Sequence, residues 1–387
     1  MTRYFIRKIL SSLLTLFLLT LIVFFLVQVL MPGDYVSMFL GMPLEDKMRL
    51  RQQLGLDQPV WFQYLHWLGG LLKGDLGNSF SGVPVMSAIL TSLPPTLLVF
   101  FTGGACAFLF GYWLGKFSGW SKSGLISDGT AISVIALYAF FPPALAFLLQ
   151  QFLGVRLGWF PVNPNIFWYQ FQKDFPEVNS TFIMSRMVVT LAGVALAVLI
   201  FKEALYRWRR SRLPGPLIIL LVAAGWIGCW FALGIGFPAL RLLHFAALPI
   251  FAFTLLSLGE IAIITRTSLA ETLHDPYVIT ARAKGLREAE IRDRHAARNA
   301  LLPVISKAIV SLPYLIGGLA IIEYSLNWQG LGSAVFYSTL GQDVPLAMGY
   351  LLFIGLFALV VRLLLELLYL YLDPRIRSKE PDGRLKV

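Results

Sequence analysis

Eight long apolar segments constrain what this chain can fold into more than any other feature of its sequence. Each has roughly twenty mostly apolar residues, enough to cross about 30 Å of hydrocarbon at about 1.5 Å per residue. Backbone amides in lipid have no water to bond, so each segment is expected to be a helix. The sequence therefore predicts an all-α polytopic membrane protein. The predicted spans are 9–30, 93–115, 130–153, 182–201, 216–237, 244–265, 301–323 and 348–371.

The basic residues between these segments predict the orientation of the chain. If the N-terminus is cytoplasmic, most of the 32 Lys and Arg residues fall on the cytoplasmic side, as the positive-inside rule requires. Both termini are then cytoplasmic, which needs an even number of spans. The first apolar run is longer than the core of a signal peptide, so we expect a retained transmembrane helix. A tight hairpin over 238–243 is predicted to join the fifth and sixth spans.

Composition excludes several classes of protein. Charged residues make up only 14% of the chain, whereas a soluble domain has about a quarter. The net charge of +11 does not indicate a nucleic-acid partner, because the basic residues are spread between apolar runs. The chain contains no GxxxxGK[ST] phosphate loop, and no Ser-His-Asp set or metal-ligand cluster stands out. We therefore expect no catalytic residues, no metal site and no bound cofactor, and no ATP hydrolysis by this chain.

The spans and the segments between them predict a division of the chain. An amphipathic, aromatic-rich stretch from Trp61 to Leu72 is expected to lie on the outer membrane surface. The predicted units are an N-terminal transmembrane helix (1–31), an outer segment (32–92), two spans with an outer loop (93–181), a hairpin of two spans (182–237), a core with a cytoplasmic loop at 266–300 (238–373) and a cytoplasmic tail (374–387).

The inner segment, residues 265–303, contains the clearest local signals for short helices. Asp275 followed by Pro276 is typical of a helix start, where the Asp side chain accepts free amide hydrogens. Gly285 is a natural stop, and Lys284 before it complements the helix dipole. A second helix is predicted from about Arg287 into the next span. A solvated linker is the plainer interpretation, but paired cap signals favour a short helix that docks into a groove of a partner.

These stretches resemble the EAA-type coupling loop and flanking motifs of ABC importer permeases of the dipeptide/oligopeptide family. The chain departs from the family pattern in several places. Pro276 and Ile279 replace the residues usual at those positions, and the usual proline after Trp328 is absent. The hairpin at 182–237 adds two spans to the six that are usual. The matching stretches are TARAKGL at 280–286, RHAARNALLP at 294–303, PGD at 32–34, LGLDQP at 54–59, GDLG at 74–77 and LDPRIR at 372–377.

The resemblance implies a type I ABC importer permease fold of about eight helices, six of the family core and two extra, in the bacterial inner membrane. It also implies several partners: a second homologous permease, two cytoplasmic ATPases that bind ATP and Mg²⁺, and an outer solute-binding protein. Peptides are the cargo expected by default, with nickel chelates, sugars and antimicrobial peptides as alternatives. The implied coupling residues are Asp275, Tyr277, Thr280, Ala281, Arg282, Ala283, Lys284, Gly285, Arg294, His295, Arg298, Asn299 and Pro303.

Four ionisable residues within or near the ends of spans are candidates for other roles. Glu260 is expected either to form structural hydrogen bonds or to line the pore, and Glu323 to line a vestibule or meet the binding protein. Arg362 and Glu366 are four residues apart, so mutual neutralisation is favoured over cargo binding.

Two other classes of function fit the sequence less well than an importer. An ion-coupled secondary transporter predicts internal repeats with ionisable residues at the midplane, and no repeat is visible. A membrane-embedded enzyme predicts paired catalytic residues within spans, and none is evident.

Overall fold

A computed structural model of the chain describes residues 2–30, 34–120, 125–209, 214–273 and 275–372. Within these ranges the regular structure is helical, apart from one isolated antiparallel bridge between Asn78 and Pro84. The all-α prediction is confirmed for this part of the chain.

The helices follow the apolar pattern of the sequence closely. In chain order they are α1 (Thr2–Leu30), α2 (Leu44–Gln53), α3 (Val60–Leu72), α4 (Val85–Trp120), α5 (Leu125–Tyr138), α6 (Pro142–Leu149), α7 (Pro164–Asp174), α8 (Ser180–Arg209), α9 (Gly215–Ala232), α10 (Gly236–Thr272), α11 (Pro276–Ala283), α12 (Glu288–Glu290), α13 (Ala297–Ser325), α14 (Leu331–Leu340) and α15 (Val344–Leu372). A 3₁₀ turn (Tyr35–Met38) and two π-helical stretches (Gln150–Arg156 and Ile291–Ala296) complete the set.

Five helices of the described residues are long and apolar enough to cross a membrane, namely α4, α8, α9, α10 and α15. A sixth span is formed if α5 and α6 are counted together, although they meet at a bend of 106°. Pro142 and Pro143 explain this bend, because they lack amide donors and Phe141 before them is extended. The predicted segment 130–153 is therefore broken in the middle.

The connection between α9 and α10 lies earlier than the sequence predicted. The turn is at 233–235, where Gly234 has a φ of +73°, and not at 238–243. Pro238 belongs to the first turn of α10, where backbone amides have no intrahelical acceptor and proline is tolerated.

Helix α10 lies at the centre of the fold and packs along α4. In its apolar window 67% of the residues are buried, against 11% in α9. Glycines on α4 allow close contact: an added Cβ at Gly111, Gly115 or Gly119 would lie 3.0, 2.5 or 2.7 Å from a carbonyl oxygen of α10. Gly103 packs on α10 in the same way, since an added Cβ would lie 3.2 Å from the Ile250 carbonyl oxygen.

The outer segment is tied together by charged and polar contacts. Arg51 donates to both carboxylate oxygens of Asp34, at 2.6 and 3.1 Å, and this bonding lowers the pKa of Asp34. Asp343, at the start of α15, accepts hydrogen bonds from Ser79 and from the Phe80 amide. These contacts tie the 3₁₀ turn at Tyr35–Met38 to α2, and the residues after α3 to the start of α15.

Candidate functional site

The short inner helix α11 begins and ends where the sequence predicted. Pro276 occupies the first helical position, and the Asp275 carbonyl accepts from the amides of Val278 and Ile279 at 2.9 and 3.2 Å. The Asp275 side chain makes no cap hydrogen bond, so the predicted capping role of its carboxylate is wrong. The helix start depends on proline and backbone geometry.

A Schellman motif ends α11. Gly285 has a φ of +75°, its amide donates to the Arg282 carbonyl at 2.9 Å, and the Leu286 amide donates to the Ala281 carbonyl at 3.3 Å. The left-handed conformation favours glycine, which confirms Gly285 as the stop.

One face of α11 is buried against the chain itself. Val278 and Ala281 are 0% and 7% exposed. They share a cluster with Trp120 of α4, Leu269 of α10, and Ile291, Ala296 and Ala300. Ala281, which the sequence placed among the coupling residues, therefore packs inward and is not on the surface available to a partner.

The opposite face of α11 is open. Ile279, a large apolar residue, is 57% exposed there. This exposed face comprises Pro276, Ile279, Thr280, Ala283, Lys284 and Gly285. Four of the predicted coupling residues, Thr280, Ala283, Lys284 and Gly285, thus lie together on one surface.

Arg282 is held within the chain by a residue that the sequence analysis missed. Its guanidinium donates to the two carboxylate oxygens of Glu288 at 2.7 and 3.3 Å, and Glu288 raises the pKa of Arg282. The indole Nε1 of Trp120 donates to the same carboxylate at 3.1 Å. An acid at the first position of a helix, three residues after the Gly285 stop, was the available signal for Glu288.

A second set of charges joins the π-helical stretch after α12 to α4. Asp293 pairs with Arg292 at 2.9 Å and with Lys116 of α4 at 3.1 Å, and both contacts lower the pKa of Asp293. Arg294 bonds Glu290 at 2.7 Å. His295 and Pro303 are exposed. The side chains of Arg298 and Asn299 lie outside the described residues.

Glu323 is fully buried at the end of α13. Its carboxylate accepts from the Thr96 hydroxyl and from the Gly332 amide, each at 2.7 Å. It does not face an open vestibule in this structure, contrary to one of the two roles expected for it. Glu260 is half-buried on α10 and Arg362 is exposed on α15. The side chain of Glu366 lies outside the described residues, so its pairing with Arg362 stays a prediction.

The described part of the chain includes two clefts. The larger, of about 680 Å³, lies in the outer segment beside His66 and Trp67. The smaller, of about 130 Å³, lies beside Trp328, the residues 91–95 of α4 and the start of α8. In the part of the chain that the structure describes, neither is lined by Glu260 or Glu323, and no group of three His, Cys, Asp or Glu side chains is placed to hold a metal ion.

The chain matches two family descriptions that together span nearly all of it. Residues 107–378 match the binding-protein-dependent transport system inner membrane component, and residues 1–99 match the N-terminal region of such components.

Three similar proteins cover almost the whole chain. A putative peptide permease protein of Brucella suis biovar 1 (strain 1330) is 31% identical, over 97% of this chain and 99% of that protein. A glutathione transport system permease protein of Pectobacterium atrosepticum (strain SCRI 1043) is 28% identical, over 98% and 100%. An oligopeptide transport system permease protein of Bacillus subtilis (strain 168) is 26% identical, over 97% and 99%.

These matches favour neither an enzyme nor an ion-coupled transporter, and they agree with a helical chain resident in a bacterial inner membrane. The chain belongs to the family of inner membrane components of binding-protein-dependent transport systems, as its inner segment had predicted.

Proposed function

We propose that this chain forms half of the translocation pathway of an ATP-driven importer for peptides. The observation that carries the proposal is the open face of α11, an exposed surface on a helix whose other face is anchored in the chain's own core. Relatives named for peptides, oligopeptides and glutathione support a cargo with amide bonds.

In this proposal the open face of α11 docks into a groove of a cytoplasmic ATPase. A second permease completes the pathway, two ATPases bind ATP and Mg²⁺, and an outer solute-binding protein delivers the peptide. Closure of the ATPases displaces α11 and converts the pathway between inward-open and outward-open forms by rigid-body movement. The chain itself contributes the pathway walls and the docking helix.

We also propose the eight-span arrangement with both termini in the cytoplasm. The hairpin α8–α9 forms the extra pair and faces lipid over most of its surface, since only 17% and 11% of the residues in its two apolar windows are buried. Two indole groups of α9 join it to α8: Trp226 donates to the Met187 carbonyl at 2.8 Å, and Trp230 to the Thr190 hydroxyl at 3.2 Å.

The test is co-purification of the chain with the ATPases of its own transport system, together with peptide uptake into proteoliposomes. Ile279→Glu places a charge on the open face of α11, so it is expected to reduce ATPase binding and uptake. Leu40→Glu is the matched control, because Leu40 is also an exposed apolar residue, 91% exposed, but lies in the outer segment. Unchanged ATPase binding by Ile279→Glu would contradict the proposal, and uptake of sugars or nickel chelates in place of peptides would contradict its cargo.

A further inference from the structure

The contact between Glu288 and Trp120 ties the inner segment to a helix far away in sequence. The two residues are 168 positions apart, and the indole-to-carboxylate distance is 3.1 Å. The same carboxylate holds Arg282 of α11 at 2.7 Å, and the Arg282 guanidinium lies 5.8 Å from the centre of the Trp120 ring. Glu288 thus bridges α11 and the last residue of α4.

A simpler role for Glu288 is stabilisation of a helix N-terminus by a negative charge. That role requires no partner on another helix, whereas this carboxylate accepts hydrogen bonds from both α11 and α4. Glu290, two residues later, provides the contrast: its carboxylate bonds Arg294 one turn along the same segment.

A second bridge supports the same connection. Lys116, one turn before Trp120, pairs with Asp293, and Arg292 lies 4.3 Å from the centre of the Phe117 ring. The inner end of α4 is therefore held to the inner segment by one ion pair, one hydrogen bond to a carboxylate, one cation–π contact and a buried apolar cluster.

Helix α4 is in turn packed too closely on α10 to slide independently. At Gly115 and Gly119 even one added carbon would meet the α10 backbone at 2.5 and 2.7 Å. Interfaces packed this closely transmit displacement, because their atoms have no free volume in which to relax. Nearer its N-terminal end, α4 is bonded to α13 and to the residues after it. The Thr96 hydroxyl donates to the Glu323 carboxylate, and the Trp328 indole donates to the Pro95 carbonyl.

We propose that Glu288 is a positioning residue that locks α11 to the inner end of α4, so that a displacement of α11 moves α4 and α10 as one body. The inference rests on the proposed function, since an ATPase must supply the displacement. A chain of contacts is not by itself evidence of energetic coupling, so the proposal needs a direct measurement.

The first test compares four variants in proteoliposomes with the solute-binding protein and ATPases of the same system. Each of Glu288→Gln and Trp120→Phe is expected to lower the amount of peptide transported per ATP hydrolysed by about twofold to fivefold. This factor corresponds to the free energy that a partly exposed ion pair contributes. ATPase binding stays at the wild-type level. Both changes remove the same contact. The fold-decrease in transport per ATP of the double variant is therefore expected to be smaller than the product of the two single fold-decreases. Glu290→Gln is the matched control and is expected to leave transport per ATP unchanged.

The second test measures movement. Spin labels are attached to two cysteines introduced at exposed positions, by Trp113→Cys on α4 and Arg287→Cys on the inner segment. The native Cys106 and Cys229 are first replaced by serine, so that they take no label. The distance between the labels is expected to stay the same in nucleotide-free and nucleotide-trapped complexes, and to change on trapping once Glu288→Gln is added.

A change of that distance on trapping while Glu288 is intact would overturn the proposal, as would unaltered transport per ATP in Glu288→Gln. Loss of ATPase binding in Glu288→Gln would also overturn it, because Glu288 would then belong to the docking surface. A failure of the proposed function gives a different result: the Ile279→Glu variant would then still bind the ATPases.

Discussion

The same substitution at two alanines of α11 is expected to change the stability of the helix by very different amounts. Ala281 is 7% exposed and packs in the apolar cluster with Trp120 and Ile291, whereas Ala283 is exposed on the open face. The sequence alone treats both as coupling positions. The structure separates them, because glutamate at 281 must enter an apolar cluster and glutamate at 283 remains in water.

The expected magnitude follows from burial. An unpaired carboxylate in an apolar site costs several kcal/mol, here taken as about 3 kcal/mol. At 1.4 kcal/mol for each factor of ten, Ala281→Glu raises the open population of α11 by about a hundredfold. Ala283→Glu changes it little, since surface substitutions are usually within about 0.5 kcal/mol.

Limited proteolysis measures this population. Trypsin cleaves after Arg282 and Lys284, and when cleavage is slow relative to closing its rate follows the open fraction. The purified chain with Ala281→Glu is expected to be cut far faster in α11 than the wild type, and Ala283→Glu at nearly the wild-type rate. ATPase binding is expected to fall in both variants. Equal cleavage rates for the two would refute the assignment of Ala281 to a buried face.

Further predictions concern the turn, the buried carboxylate, the outer segment and the topology. Gly285→Ala strains a left-handed position and is expected to destabilise the α11 end by about 1 kcal/mol, and Gly285→Pro by more, seen as faster proteolysis of α11. Glu323→Leu leaves the buried Gly332 amide without an acceptor, which costs about 1–3 kcal/mol, and leaves the Thr96 hydroxyl only its longer contact to the Ser92 carbonyl at 3.4 Å. The unfolding temperature of Glu323→Leu in detergent should therefore fall more than that of Glu323→Gln. Asp34→Asn is expected to lower the stability of the chain at neutral pH. Because the pKa of Asp34 is lowered in the folded chain, its stabilising effect is fully present above pH 3.8 and is lost as the pH falls through the lowered pKa. The difference in stability between variant and wild type should therefore vanish in acid. A cysteine introduced within 207–212 should react with a membrane-impermeant reagent only from the cytoplasmic side, and labelling from outside would contradict the eight-span topology.

Local rules explain what the sequence determined. Apolar runs of spanning length predicted helices because lipid leaves the backbone no other way to satisfy its hydrogen bonds. The limits of α11 followed from Pro276, which fixes its own φ, and from Gly285, which accepts a positive φ. These are properties of single residues and their neighbours, so one sequence was enough to recognise them. The family was recognisable for the same reason, since its motifs are short and contiguous.

Tertiary structure decided which side chains of each helix are buried and which contact another helix. No local signal distinguishes Ala281 from Ala283, because their burial depends on Trp120, which is far away in the chain. Glu288 became visible as a bridge only when α4 and the inner segment were placed together, and Glu323 as a buried acceptor only when Thr96 was brought beside it. Such pairings depend on how helices pack, and helix packing is set by the summed contacts of the whole chain, which hydropathy and capping rules do not contain.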